Sequence, residues 1–120
     1  MSRIIIENDQ LVITMQGARK FFAMKSEVLV DLKSVTGVTT GLSWKDLPKT
    51  FDKRMGTNSN LFYYGGNFYQ DGKKVFYDLR KKEDAVVISL NDTEFDTLVI
   101  GVDDPDAAAA LIEQALKQDG

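Results

Sequence analysis

Residues 68–77 read Phe68-Tyr69-Gln70-Asp71-Gly72-Lys73-Lys74-Val75-Phe76-Tyr77. Asp71-Gly72 is the strongest local signal in the chain. Asp and Gly both accept the positive φ that a two-residue type I′ turn demands. Such a turn pairs Gln70 with Lys73, Tyr69 with Lys74 and Phe68 with Val75. Phe68, Val75, Tyr77 and Leu79 then share one face, with Tyr69 and Lys74 on the other. The stretch is an antiparallel hairpin. Upstream, Gly65-Gly66 marks a bulge or a bend at a barrel corner.

The pattern extends in both directions. Leu11-Val12-Ile13-Thr14-Met15 reads as a strand, with Ile4 to Ile6 a short lead-in and Gly17 a turn. Phe21 to Met24 resumes an apolar run. Val28, Val30 and Leu32 alternate with Glu27, Leu29 and Asp31, a period of two with one apolar face. Ser34 to Thr40 is β-branched, and Gly37 within it marks a bulge. Beyond the hairpin, Val86, Ile88 and Leu90 share one face of a strand, as do Leu98, Ile100 and Val102 of the next. Asn91-Asp92 turns between them. No helical crossover separates these strands, so antiparallel pairing is expected. Residues 41–59 have no clean period. Trp44, Leu47, Phe51 and Met55 recur at helical spacing, which fits a short helix ending before Pro48 or a long loop pinned by those side chains.

The chain ends differently. Asp104-Pro105 starts a helix: the aspartate caps free N–H groups, and proline in the first helical position gives up only an N–H that has no partner. Asp106 suits the positive end of the dipole. Ala107, Ala108, Leu111, Ile112 and Ala115 form an apolar stripe, with Leu116 at its margin, and the helix is expected to run to about Lys117. About seven antiparallel strands and one amphipathic helix predict a mainly β protein, a small barrel whose open end the helix covers.

Four groups of segments carry a likeness to a known family. They are Phe22-Ala23-Met24-Lys25-Ser26 with 28–38; Arg54-Met55-Gly56-Thr57; residues 65–78; and Ala85 to Leu90 through Leu98-Val99-Ile100 to Asp103-Asp104-Pro105. In this order they cover most of the chain. They resemble a widespread family of small, uncharacterised bacterial proteins with a pleckstrin-homology-like (PH-like) fold. Where relatives carry Gly-Thr-Phe-Tyr and Phe-Trp-Asp, this chain has Gly66-Asn67-Phe68-Tyr69 and Phe76-Tyr77-Asp78. The resemblance implies a PH-like barrel of residues 1–120. It also implies a role in self-association or protein binding, as bacterial members of this fold class have. Eukaryotic members resemble readers of lipid headgroups that use basic residues after the first strand. The corresponding stretch here is Gln16 to Lys20, with Lys25 beyond.

Composition bounds the chemistry. A chain of 120 residues, 43% of them hydrophobic, makes one domain with a real core. There is no cysteine and no histidine. Disulfides and thiol catalysis are excluded, and so is the commonest general base at neutral pH. Met1 to Glu7 lacks the apolar run of a secretion signal, and no stretch approaches membrane-spanning length, so a cytoplasmic protein is expected. Residues 1–82 hold 14 basic and 8 acidic side chains, and residues 83–120 hold one basic and 10 acidic. Both an ordinary charged surface and an attraction between unlike ends of two copies fit this asymmetry.

The candidate interaction surface is Trp44, Leu47, Phe51, Tyr64 and Tyr69, facing a protein partner or a second copy. Trp44 either anchors its segment on the barrel or is exposed as a binding hot spot. Arg19, Lys20, Lys25, Lys73 and Lys74 are the alternative, a basic patch for phosphate or anionic lipid; solvated strand ends and a polar hairpin tip are the simpler account of them. A third possibility is carboxylate chemistry, with Asp46, Asp52 or Asp78 converging near Arg54 and tyrosines. The net charge of −3 opposes nucleic acid, despite the aromatic residues. Gly65-Gly66 lacks the spacing and the Lys-Ser/Thr ending of a phosphate loop. No cofactor or metal is expected.

Overall fold

The computed structural model describes residues 2–15, 27–42, 44–47, 53–59 and 63–119, with 53–59 described as backbone. Three strands, β1 (Arg3–Glu7), β2 (Gln10–Thr14) and β3 (Glu27–Asp31), form an antiparallel sheet in that order. A second sheet holds β4 (Val35–Leu42), β5 (Lys53–Ser59), β6 (Tyr63–Gln70), β7 (Lys73–Arg80), β8 (Asp84–Leu90) and β9 (Thr97–Val102). Its order is β4-β8-β9-β7-β6-β5. Helix α1 (Pro105–Asp119) closes the chain.

The protein is therefore mainly β with one C-terminal helix, but three expectations need correction. Nine strands, not about seven, stand among the described residues. They lie in two open sheets and not in a closed barrel. The pairing is not all antiparallel, because β7 and β9 run parallel, Val75 opposite Thr97 through Asp78 opposite Ile100.

Each correction has a local cause. Ile4 to Ile6 is a full strand and not a lead-in. Asn8 and Asp9 both take positive φ, 53° and 62°, and turn β1 into β2 in two residues. Residues 53–59, read as part of a loop, pair with β6 from Lys53 opposite Tyr69 to Ser59 opposite Tyr63. Their KRMGTNS sequence shows no alternation, which an edge strand tolerates. The parallel pair arises because β9 returns between β7 and β8. The turn after β7 must then cross the end of β9, a step of about 10 Å at normal strand spacing. Glu83 holds that turn. Its N–H donates to the Arg80 carbonyl at 3.0 Å, and its Oε1 accepts from the Arg80 N–H at 2.9 Å. The side chain lies flat on Gly101, where a Cβ would stand 2.9 Å from the Glu83 carboxyl carbon.

The central hairpin forms in the expected register, Gln70 with Lys73, Tyr69 with Lys74 and Phe68 with Val75. Asp71 and Gly72 take φ of 53° and 78°, as the I′ turn requires. Gly65-Gly66 makes no bulge; β6 stays in continuous register on both sides. The register shifts fall in β4, one between Val35 and Gly37, where the sequence places it, and one between Thr40 and Leu42.

The larger sheet buries both faces. On one, Phe76, Val86, Ile88, Leu98 and Ile100 meet Leu11, Ile13, Val28 and Val30 of the smaller sheet, together with Ile112 of α1. On the other, Tyr64, Phe68, Val75, Tyr77, Leu79 and Val99 meet Leu47 and the half-buried Trp44. Trp44 to Asp46 form a single 3-10 turn in place of the short helix. Helix α1 lies across β4, β8 and β9 of one sheet and β1 of the other. Asp104 caps it, its carboxylate accepting from the Ala107 N–H at 3.0 Å. The buried stripe is rotated from the expected one: Ala109 is buried, while Ala107 and Leu111 face solvent.

Candidate functional site

The outer face of the smaller sheet carries the unexplained apolar surface. Strand alternation sends Ile4, Ile6, Leu11, Ile13, Val28 and Val30 inward to the core. Three rows remain outside. Arg3 lies opposite Thr14, and Thr14 opposite Glu27. Ile5 lies opposite Val12, and Val12 opposite Leu29. Glu7 lies opposite Gln10, and Gln10 opposite Asp31. The middle row is wholly apolar. Ile5 is 38% exposed and Leu29 53%, two of only three large hydrophobic side chains exposed among the described residues, while Val12 between them is buried at 8%. The Gln10 amide donates to Asp31 at 3.2 Å, which ties β2 to β3 along one polar row. Transfer of apolar area out of water stabilises by roughly 25 cal/mol per Å². An aligned row of this kind is therefore a surface with something to gain from being covered.

The aromatic residues proposed as a surface lie elsewhere. Tyr64 and Leu47 are buried, and Tyr64 stacks on Phe68 at 5.8 Å. Trp44 meets Tyr64 edge-on at 5.1 Å, so it anchors its segment to the second core. Tyr69 is half-buried on the opposite face of β6. Phe51 lies outside the described residues. Leu47 and Tyr64 thus belong to the interior of this chain and cannot act as its contact surface. The physical reason is that both faces of the larger sheet are covered.

Tyr77 sits in the same aromatic core. Burial, reinforced by the neighbouring Tyr64 phenol, pushes its pKa up to about 12. The unfolded chain ionises this phenol near its ordinary value of about 10. Above that pH the unfolded state sheds a proton that the folded state keeps. The stabilisation is complete below pH 10 and is lost as pH climbs toward 12. Urea unfolding between pH 9 and 11.5 should show this fall in the native protein and a shallower one in Tyr77→Phe.

A buried polar cluster links the two sheets. The Asp78 carboxylate, fully buried, accepts from the Tyr63 hydroxyl at 2.6 Å and from the Ser2 hydroxyl. Ser2 leads into β1, so the contact joins the smaller sheet to β6 and β7. The Tyr63 ring reaches Asp78 by lying over Gly65, whose missing side chain makes the room. On the same strand, the buried Oδ1 of Asn67 accepts no hydrogen bond from the described residues. Asp46 is exposed whereas Asp78 is fully buried, and Asp52 and the Arg54 side chain lie outside the described residues. Of the carboxylate alternative, the described residues show one buried aspartate accepting from two hydroxyls. No group of three metal-ligating side chains occurs among the described residues.

Of the basic patch, only Lys73 and Lys74 lie among the described residues. Lys74 pairs with Glu94 at 3.0 Å and lies 4.9 Å from the centre of the Phe95 ring. Its backbone is clamped by Asp96, which accepts from the Lys74 N–H at 2.8 Å. Lys73 is exposed at the hairpin tip, and Arg19, Lys20 and Lys25 lie outside the described residues. No helix among the described residues is long and apolar enough to cross a membrane. Compared with protein-family models, curated proteins and solved structures, the chain finds no match.

Proposed function

We propose that this chain is a noncatalytic self-association domain of PH-like type, working through the outer face of its three-stranded sheet. The observation that carries the proposal is the pair of exposed side chains Ile5 and Leu29, which flank the buried Val12 in one register, with Ile5 on the strand that has only one partner among the described residues. Apolar residues scattered singly need no explanation, whereas two exposed ones in the same register, on either side of a buried valine, form a local apolar patch. The PH-like part rests on the resemblance of the quoted segments and on a C-terminal helix laid across two sheets. The parallel β7–β9 pair departs from it.

Light scattering after size-exclusion chromatography, in low salt and in about 0.5 M salt, tests the proposal. A discrete oligomer at micromolar concentration that persists in high salt is expected, since apolar contact is not screened as charge is. A monomer under both conditions overturns it.

A further inference from the structure

We propose that two copies of this chain join edge to edge through β1, antiparallel, with Ile5 opposite Ile5. This rests on the self-association reading above and names its interface. Among the described residues β1 pairs only with β2, and no other described strand pairs with its other side. An open edge offers a row of main-chain groups to another strand.

The sequence of β1 is complementary to itself when reversed. Arg3-Ile4-Ile5-Ile6-Glu7, set antiparallel to a second copy and centred on Ile5, places Arg3 opposite Glu7 of the second copy and Glu7 opposite its Arg3. Ile4 falls opposite Ile6. Arg3, Ile5 and Glu7 are all exposed, and Ile4 and Ile6 are half-buried against the core. Edge strands are often protected by charge, but like charges repel a copy, and these two attract one.

The hydrogen bonds agree with this register. The residues flanking a two-residue turn, Glu7 and Gln10, exchange N–H and C=O groups with each other. By alternation Arg3, Ile5 and Glu7 direct their main-chain groups toward β2. Ile4 and Ile6 direct theirs to the open side. In the proposed pairing each Ile4 meets an Ile6, so outward groups meet outward groups and four N–H···O=C bonds close across the two-fold axis. Ile5 and the two Arg–Glu pairs occupy the positions where side chains approach most closely. A slip by one residue turns the faces over, and a slip by two leaves Arg3 or Glu7 opposite isoleucine. The result is a closed, two-fold dimer with a six-stranded sheet. Its outer face carries one apolar row, Leu29–Val12–Ile5 continued by Ile5–Val12–Leu29 of the second copy.

The chain has no cysteine, so a single introduced thiol reports on this contact without background. Ile5→Cys should form a disulfide-linked dimer under mild oxidation, because closely opposed residues lie within bridging distance. Leu29→Cys, about 24 Å from its counterpart at normal strand spacing, should not. Arg3→Glu and Glu7→Arg should each weaken dimerisation about tenfold by replacing two attractions with two repulsions. Mixing the two variants should restore a dimer that contains one of each. A discrete oligomer in which Ile5→Cys fails to cross-link and mixing restores nothing overturns this interface and leaves self-association standing. A monomeric protein overturns both.

Discussion

Replacing Phe76 by alanine is expected to lower the free energy of unfolding by about 3–5 kcal/mol. Domains of this size are stable by only about 5–15 kcal/mol, so the change removes a large part of the total. Phe76 is fully buried in the strand that joins the two halves of the larger sheet. β7 is hydrogen-bonded to β6 on one side and to β9 on the other. The ring lies against Phe95, centroids 5.5 Å apart, and within the core that both sheets and α1 share. With the backbone held on both sides, the strand cannot move inward to fill the space the ring leaves, so the cavity cost adds to the lost transfer energy. Urea denaturation is the measurement. The midpoint should fall with little change in slope, and Phe76→Leu, which leaves most of the volume filled, should fall less. A loss below about 1 kcal/mol for Phe76→Ala would mean that the site collapses freely, against a doubly paired β7.

The same strand shows what could be read from residues alone. The hairpin at 71–72 was legible to the residue because Asp-Gly specifies its own turn geometry, and geometry specifies register. Asn8-Asp9 carries the same kind of signal more weakly, and that weaker signal hid β1. The neighbour of β7 was not legible. Nothing local tells a strand whether the next strand in sequence or the one after will lie beside it. Here β9 intervenes, and the sign of it is a glycine at position 101 with a glutamate folded over it. The helix was legible in its start, where Asp104 and Pro105 act through neighbouring backbone groups. Its facing was less so, since Ala107, Ala108, Ala109 and Ala110 leave the stripe to be set by what the helix meets.

The candidate surface was misplaced for a related reason. Alternation separates inside from outside only when one face of a sheet is wet. The larger sheet is covered on both, so Tyr63, Tyr64, Phe68, Phe76 and Tyr77 are interior whichever way they point, and only Tyr69 of the aromatic residues on β6 and β7 is half-buried. The smaller sheet does have a wet face. There the useful signal was a hydrophobic residue in the polar phase: Leu29 between Glu27 and Asp31, and Ile5 between Ile4 and Ile6. The first of these stands in the alternation itself. The second is masked by its neighbours, because three consecutive isoleucines show no period.

Gly65→Ala is expected to destabilise the protein by about 2–5 kcal/mol, although the substitution adds only one methyl group. The reason is the Tyr63 ring. A Cβ at position 65 would stand 2.6 Å from the ring's Cζ, well inside contact distance. Either the strand shifts or the ring leaves. If the ring leaves, its hydroxyl no longer donates to Asp78, and a fully buried carboxylate loses one of its donors. Hydrogen bonds to charged groups contribute about 1.5–3 kcal/mol, and overpacking adds a strain of similar size. Tyr63→Phe separates the two, because it removes the hydroxyl and leaves the ring in place; it should cost only the hydrogen-bond share. The deciding measurement is the double-mutant cycle with Tyr63→Ala. Once the ring is gone, Gly65→Ala meets nothing of it, and its cost should fall below about 1 kcal/mol. If Gly65→Ala costs the same in both backgrounds, the glycine serves its own backbone and not the tyrosine. The contact from Tyr63 through Asp78 to Ser2 would then be an accident of packing and not the clasp that holds β1 to the larger sheet.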